Sequence, residues 1–320
     1  MMRSVWGWLS AVLLGSMAVS AIGQQRLSIV ATTGMVADVA SAVAGDRATV
    51  RTLMGPGIDP HLYKPTRADV KRLMDADVIF YNGLLLEGQL TDALIRAATS
   101  GKKVFAVTEM LGDDDLLEPE ELEGKYDPHV WMDIRAWANT VNVVRDTLAD
   151  LDPDGASTYE ENAARYIERL LELDAYAERV LGSVPESQRV LVTAHDAFNY
   201  FGHRYGYDVV GIQGISTESE AGVRDIERLV SLLVDRHIGA VFVESTVSDR
   251  NVKALIAGAR AQDHTVVIGG ELFSDAMGDA GTYTGTYLGM IDHNVTTIAR
   301  ALGGEAPARG MNGKLDASAE

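Results

Sequence analysis

The 320-residue sequence contains no cysteine. Disulfides, thiolate metal sites and thiol catalysis are therefore excluded, as is a lipid attached to a cysteine behind an export leader. Basic residues are scarce beside acidic ones, 28 against 46, for a formal charge of −18. Such a surface repels phosphate backbones, so a nucleic acid partner is not expected. Long apolar runs are absent beyond the first few tens of residues. There Arg3 precedes a stretch from Val5 to Ala21 that is apolar apart from serines and glycines. It is shorter than the roughly 20 residues of a membrane-spanning helix and is followed by small residues, which reads as a secretory signal over 1–23 cleaved after Gly23. An uncleaved leader serving as a tether is the alternative, and export to a periplasm is the expected destination.

What remains is ordinary globular composition, with 47% hydrophobic and 23% charged residues. The length suits two domains better than one. Short β-branched runs alternate with amphipathic segments: LSIVATT, ATVRTLM, VIFYNG and KVFAVTE in the first part, then RVLVTAH, DVVGIQ, AVFVE and TVVIGG in the second. Strand followed by helix, repeated, implies parallel sheets covered on both faces. Between the two series Tyr159, Ala163, Tyr166, Leu170, Leu173, Ala177 and Val180 recur at steps of four and three, one face of a long helix. Asp152 and Pro153 read as its N-cap and first position, with Gly182 and Pro185 as stop signals. The expected fold is α/β, two lobes each with a parallel sheet and flanking helices, joined by one long rigid helix. The corresponding boundaries are 24–151 for the N-terminal lobe, 152–186 for the connector and 187–320 for the C-terminal lobe.

Of the seven histidines, His61 and His129 share one setting, IDPHLYKP and YDPHVWMD. A proline before each stiffens the loop that presents it. Asp59 and Asp127 either accept a hydrogen bond from the imidazole that follows or close an ordinary Asx-turn. His195 ends RVLVTAH at the carboxyl edge of a strand, where open parallel sheets place their ligands, and Asp275 follows TVVIGG by a few residues. Glu244, closing AVFVE, either braces a ligand or caps a helix. His203, His237, His264 and His293 have no matching partners and read as surface or helix-end residues. The acidic run 113–123 reads as a solvated loop.

Taken together, IVATTGMVADVA, the two DPH triplets, VTAHDAFNYFGHRYG, FVESTVSDRN and GELFSDAMGDAGTYTGTY resemble the zinc and manganese substrate-binding proteins of ABC transporters, the cluster A-I or TroA-like family, over essentially the whole chain after the leader. The resemblance implies one divalent ion, Zn2+ or Mn2+, carried as cargo by His61, His129, His195 and Asp275. It also implies a monomer that delivers the ion to a membrane permease with its cytoplasmic ATPase. Zinc-dedicated members often carry a histidine-rich loop before the second DPH, whereas here that stretch, LGDDDLLEPEELEGKYDPH, is acidic. Manganese-dedicated members often place glutamate where His195 stands, so the combination implies a site accepting either metal. Two rival readings are a secreted zinc hydrolase, which would need an open coordination position and a general base, and a metal-binding adhesin.

Overall fold

The computed structural model describes residues 26–316 apart from 120, 121 and 123. The expected leader, 1–23, lies outside the described residues. The first half runs β1 (Leu27–Ala31), α1 (Gly34–Ala44), β2 (Ala48–Thr52), α2 (Arg67–Asp75), β3 (Val78–Tyr81), α3 (Thr91–Thr99) and β4 (Lys103–Ala106). Two helices follow, α4 (Ile134–Leu151) and α5 (Ala156–Leu181). The second half runs β5 (Val190–Thr193), α6 (Asn199–Tyr205), β6 (Asp208–Gly211), α7 (Val223–Asp235), β7 (Ala240–Glu244), α8 (Arg250–Arg260), β8 (Val267–Leu272) and α9 (Tyr287–Ala301).

All strand pairs are parallel. The first half forms one sheet in the order β2-β1-β3-β4, and the second half forms the pairs β5-β6 and β7-β8. The two pairs meet where β5 lies alongside β7. Alternation along the strands sends successive side chains to opposite faces. Ile29 and Ala31 join a central core while Val30 points to an outer one, and Phe242 and Val241 divide in the same way. The central core runs without interruption from β1 and β3 through α1, α4, α5 and α9 to β7. The two lobes therefore share one apolar interior, with α2 and α3 covering one outer face and α7 and α8 the other.

The helix α5 has 26 residues, about 39 Å at 1.5 Å per residue, and packs on α1 and α4 of the first half and on α6 and α9 of the second. Its start differs from the sequence expectation. Asp152 makes no capping bond to α5, which is entered through a 3-10 turn at Pro153–Gly155. Its carboxylate instead takes the Arg47 guanidinium at 2.6 Å and the Tyr159 hydroxyl at 2.6 Å. A guanidinium and a phenol outcompete a backbone N–H for the same oxygen. Neither α4 nor α9 figures in the sequence reading. The close approach of α9 to β8 depends on glycine: a Cβ at Gly270 would lie 2.4 Å from Thr297 Cγ2, and one at Gly269 would lie 2.8 Å from Ala301 Cβ.

Candidate metal centre

The strands of both halves deliver polar residues to one place just beyond their carboxyl ends. His195 follows β5, Glu244 is the last residue of β7, and Asp275 follows β8. His61 comes from the segment between β2 and α2, and His129 immediately precedes the short 3-10 turn Val130–Met132. The four residues predicted as ligands are all buried, and one atom from each lies within 4.8 Å of every other. None of the remaining histidines joins them. His264 and His293 are engaged through Nε2 with the carbonyls of Ile238 and Glu271, and His203 is exposed on α6.

The three rings face one another through Nε2. His61 Nε2 lies 3.3 Å from His129 Nε2 and 3.6 Å from Asp275 Oδ2. His129 Nε2 lies 3.3 Å from Asp275 Oδ1, and His195 Nε2 lies 3.2 Å from Asp275 Oδ2. Donors held at the roughly 2.0–2.1 Å usual for zinc stand about 3.3 Å apart at the corners of a tetrahedron. His195 Nε2 and both Asp275 oxygens are buried and make no hydrogen bond among the described residues. Buried polar atoms without partners are costly, and a cation at their common centre would satisfy them together.

Behind the rings, carboxylates fix the orientation. Asp127 Oδ1 accepts from His129 Nδ1 at 2.7 Å and from the His129 backbone N–H at 2.9 Å. Glu244 Oε1 accepts from the His195 backbone N–H at 2.8 Å, while its Oε2 contacts His195 Nδ1. A proton held on Nδ1 leaves Nε2 with its lone pair directed at the centre. Glu244 is thus a brace, and α8 begins too far along the chain for it to cap. Asp59 behaves differently from its counterpart: Oδ1 closes an Asx-turn on the His61 backbone N–H at 2.8 Å, and Oδ2 accepts from the Thr217 hydroxyl at 2.6 Å.

Electrostatics follow this division. Burial dominates at His61 and lowers its pKa to about 4. Burial acts the same way on His129, but the Asp127 and Asp275 carboxylates overcome it and lift the ring to about 9. Glu244 and Asp275 likewise overcome burial at His195 and raise it well above the usual imidazole range. Burial would raise Asp275, yet the facing His195 and His129 rings hold it well below ordinary carboxylates.

Several supports escaped the sequence reading. Trp131 Nε1 donates to the Ser274 carbonyl at 2.9 Å. Asn294 of α9 bonds both backbone groups of Phe273, at 2.9 and 2.7 Å, and so steers the loop bearing Asp275. Asn82 Nδ2 donates to the Pro128 carbonyl at 3.0 Å, and buried Glu87 accepts from the Asn82 N–H at 2.7 Å. Asn199 and Tyr200 of α6 hold Asp127 through its carboxylate and carbonyl, at 3.1 and 2.8 Å. The acidic run is not wholly solvated, since the Leu117 N–H donates to the Tyr200 hydroxyl at 3.1 Å. A Trp two residues after DPH was visible in the sequence, but the asparagines carried no positional signal.

Residues 29–301 match the family described as "Zinc-uptake complex component A periplasmic". The chain is 44% identical over 305 residues to the manganese-binding lipoprotein MntA of Bacillus subtilis, covering 92% of this chain and 99% of the relative. It is 45% identical over 274 residues to the zinc-binding protein TroA of Treponema pallidum, covering 86% and 88%. The solved structure of that periplasmic zinc-binding protein superposes with a TM-score of 0.84 at 44% identity, covering 87% of this chain and 99% of the other. With a family match over most of its length and relatives this similar end to end, the chain belongs to the periplasmic zinc-uptake component A family.

Proposed function

We propose that the protein captures one divalent transition-metal ion, zinc or manganese, between its two halves and delivers it to the permease of an ABC importer. His61, His129, His195 and Asp275 are the proposed ligands. The observation that carries this reading is the convergence of three Nε2 atoms on a carboxylate with neither oxygen bonded. Two ligands come from each half, so the ion would tie the halves together. Neutral imidazoles suit zinc and other late transition metals, and the carboxylate adds charge and a hard donor. Four protein donors fill a tetrahedron and leave no position for a reacting water, which favours carriage over hydrolysis.

The relatives' names divide between manganese and zinc, in line with a site that accepts either. We place the protein outside the cytoplasm as a monomer, with the leader 1–23 removed or retained as a tether. No helix among the described residues is long and apolar enough to cross a membrane. The lobe limits given above and a stiff connector are part of the same proposal, supported by the contacts of α5 with both halves. Elemental analysis of protein purified from its own compartment without added metal tests the reading. One transition-metal ion per chain is expected, and protein that carries only magnesium or calcium would overturn it.

A further inference from the structure

The three imidazoles are not held alike. Asp127 and Glu244 each reach the Nδ1 of the ring they support. Asp59 occupies the same place in its DPH triplet, yet it reaches only the backbone of His61 and turns its second oxygen to Thr217 on the opposite half. Among the described residues no hydrogen bond reaches His61 Nδ1. A ring without an acceptor behind it is less basic and less fixed in orientation. His61 also has the most exposed surroundings of the three, with Ile58 at 41% and Leu62 at 49% exposure beside it. The DPH turn itself is neither helix nor strand, and neither is the segment between β6 and α7 that carries Thr217. The position of His61 therefore depends on a chain of two hydrogen bonds, from Thr217 to Asp59 and from the His61 backbone to Asp59.

We propose that Thr217 is a positioning residue for retention of the ion: its hydroxyl, acting through Asp59, keeps the His61 ring in place, and loss of that bond makes His61 the first ligand to detach. The inference rests on the metal-site reading above and adds the order of release to it. Separation of the two halves at this point would withdraw Thr217 from Asp59 and free the His61 loop, while His129 and His195 stay braced by carboxylates from their own surroundings. Retention and release would then be set by one hydroxyl that never touches the ion.

The test is chelator-induced zinc release followed by stopped flow, with association rates measured in parallel, for the wild type and for Thr217→Val, Thr217→Ser and Gln89→Ala. Thr217→Val keeps the side-chain shape and removes the hydroxyl. Its release is expected to accelerate by about tenfold, in keeping with loss of one hydrogen bond to a charged group, with association changed by less than about twofold. Thr217→Ser should restore the wild-type rate. Gln89→Ala breaks the neighbouring bond to Glu218, 2.9 Å long, which spans the same halves without touching a ligand loop; it should release at the wild-type rate. The cobalt-loaded Thr217→Val protein should keep the wild-type visible spectrum, since the ligands themselves are unchanged. Release at the wild-type rate in Thr217→Val, equal acceleration in Gln89→Ala, or failure of serine to rescue would each overturn the proposal. Should the valine variant fail to fold, Thr217→Ala supplies the same comparison. A wild type that binds no zinc, or a His61→Ala variant that binds it unchanged, would instead overturn the metal-site reading.

Discussion

The indole N–H of Trp131 donates to the carbonyl oxygen of Ser274 at 2.9 Å, and the Trp131 carbonyl in turn accepts from the Tyr287 hydroxyl at 2.7 Å. Asp275 is the next residue after Ser274, and His129 lies two before Trp131. One bond between the halves thus helps to set the spacing of a nitrogen and a carboxylate that we propose share an ion.

Replacing Trp131 with phenylalanine keeps most of the buried ring and removes the donor. The Ser274 carbonyl is left buried without its partner, at a cost of about 1–3 kcal/mol in stability. Zinc affinity should fall along with it. Chemical denaturation and a competitive zinc titration of the same variant check both parts, and an unchanged affinity would mean that the Asp275 loop is held by Asn294 alone.

Glu244→Gln should weaken zinc binding by about 10–100-fold, the range typical when the partner behind a ligating histidine is lost. The amide presents a donor or an acceptor to His195 Nδ1 but no charge, so the ring is less firmly held with its lone pair toward the centre. Asp127→Asn should behave alike at His129. A quin-type chelator competition on the two variants measures the effect, and wild-type affinity in both would remove the bracing role.

Alanine at His61, His129, His195 or Asp275 should cost more than any of these outer changes, whereas His203→Ala should cost nothing, because that side chain stands exposed on α6. Calorimetry on the five variants gives the order directly.

Affinity should also climb with pH over a wider range than free imidazole would give. In the metal-free protein His129 keeps its proton below about 9, and His195 is raised as well. Coordination requires Nε2 to lose that proton, so each unit of pH gained below the raised pKa favours the bound state. His61, lowered to about 4, and Asp275, held well below the usual range, release no proton near neutrality. Titrations between about pH 6 and about pH 8.5 in two buffers of different ionisation enthalpy should show rising affinity and net proton release. An affinity that levels off above the ordinary imidazole pKa would contradict the raised values.

Much of the fold was legible because the strands of both halves announce themselves as short β-branched runs, and the seam of α5 as a repeat of four and three. Two helices were not. In α9 the polar residues Asp292, Asn294 and Thr296 are buried beside Tyr287, Met290, Ile291, Val295 and Ile298, so polar positions fall on both sides of the helix and blur its period. In α4 the apolar positions Ile134, Trp137, Val141, Val144 and Leu148 do follow a helical spacing, so this helix was legible in principle. The ligand candidates stood out because histidine is rare here and the DPH setting repeats. Asp59 and Asp127, which share the Asp-Pro-His triplet, differ in what they hold, and the triplet does not separate them: their partners Thr217 and Asn199 are both distant in sequence.

Nitrogen and oxygen sites generally bind zinc more tightly than manganese, and three imidazoles should strengthen that bias. Wild-type protein is expected to prefer zinc in competition titrations, and His195→Glu, which exchanges a nitrogen for a hard oxygen, should narrow the ratio. A wild-type preference for manganese would defeat the argument from ligand chemistry.

Whether one ion is held by three imidazoles and one carboxylate is measured by X-ray absorption at the zinc edge on protein loaded with a single equivalent. A shell of nitrogen and oxygen at roughly 2.0–2.1 Å with the multiple scattering of about three imidazoles is expected. A shell of oxygens without imidazole scattering would contradict it.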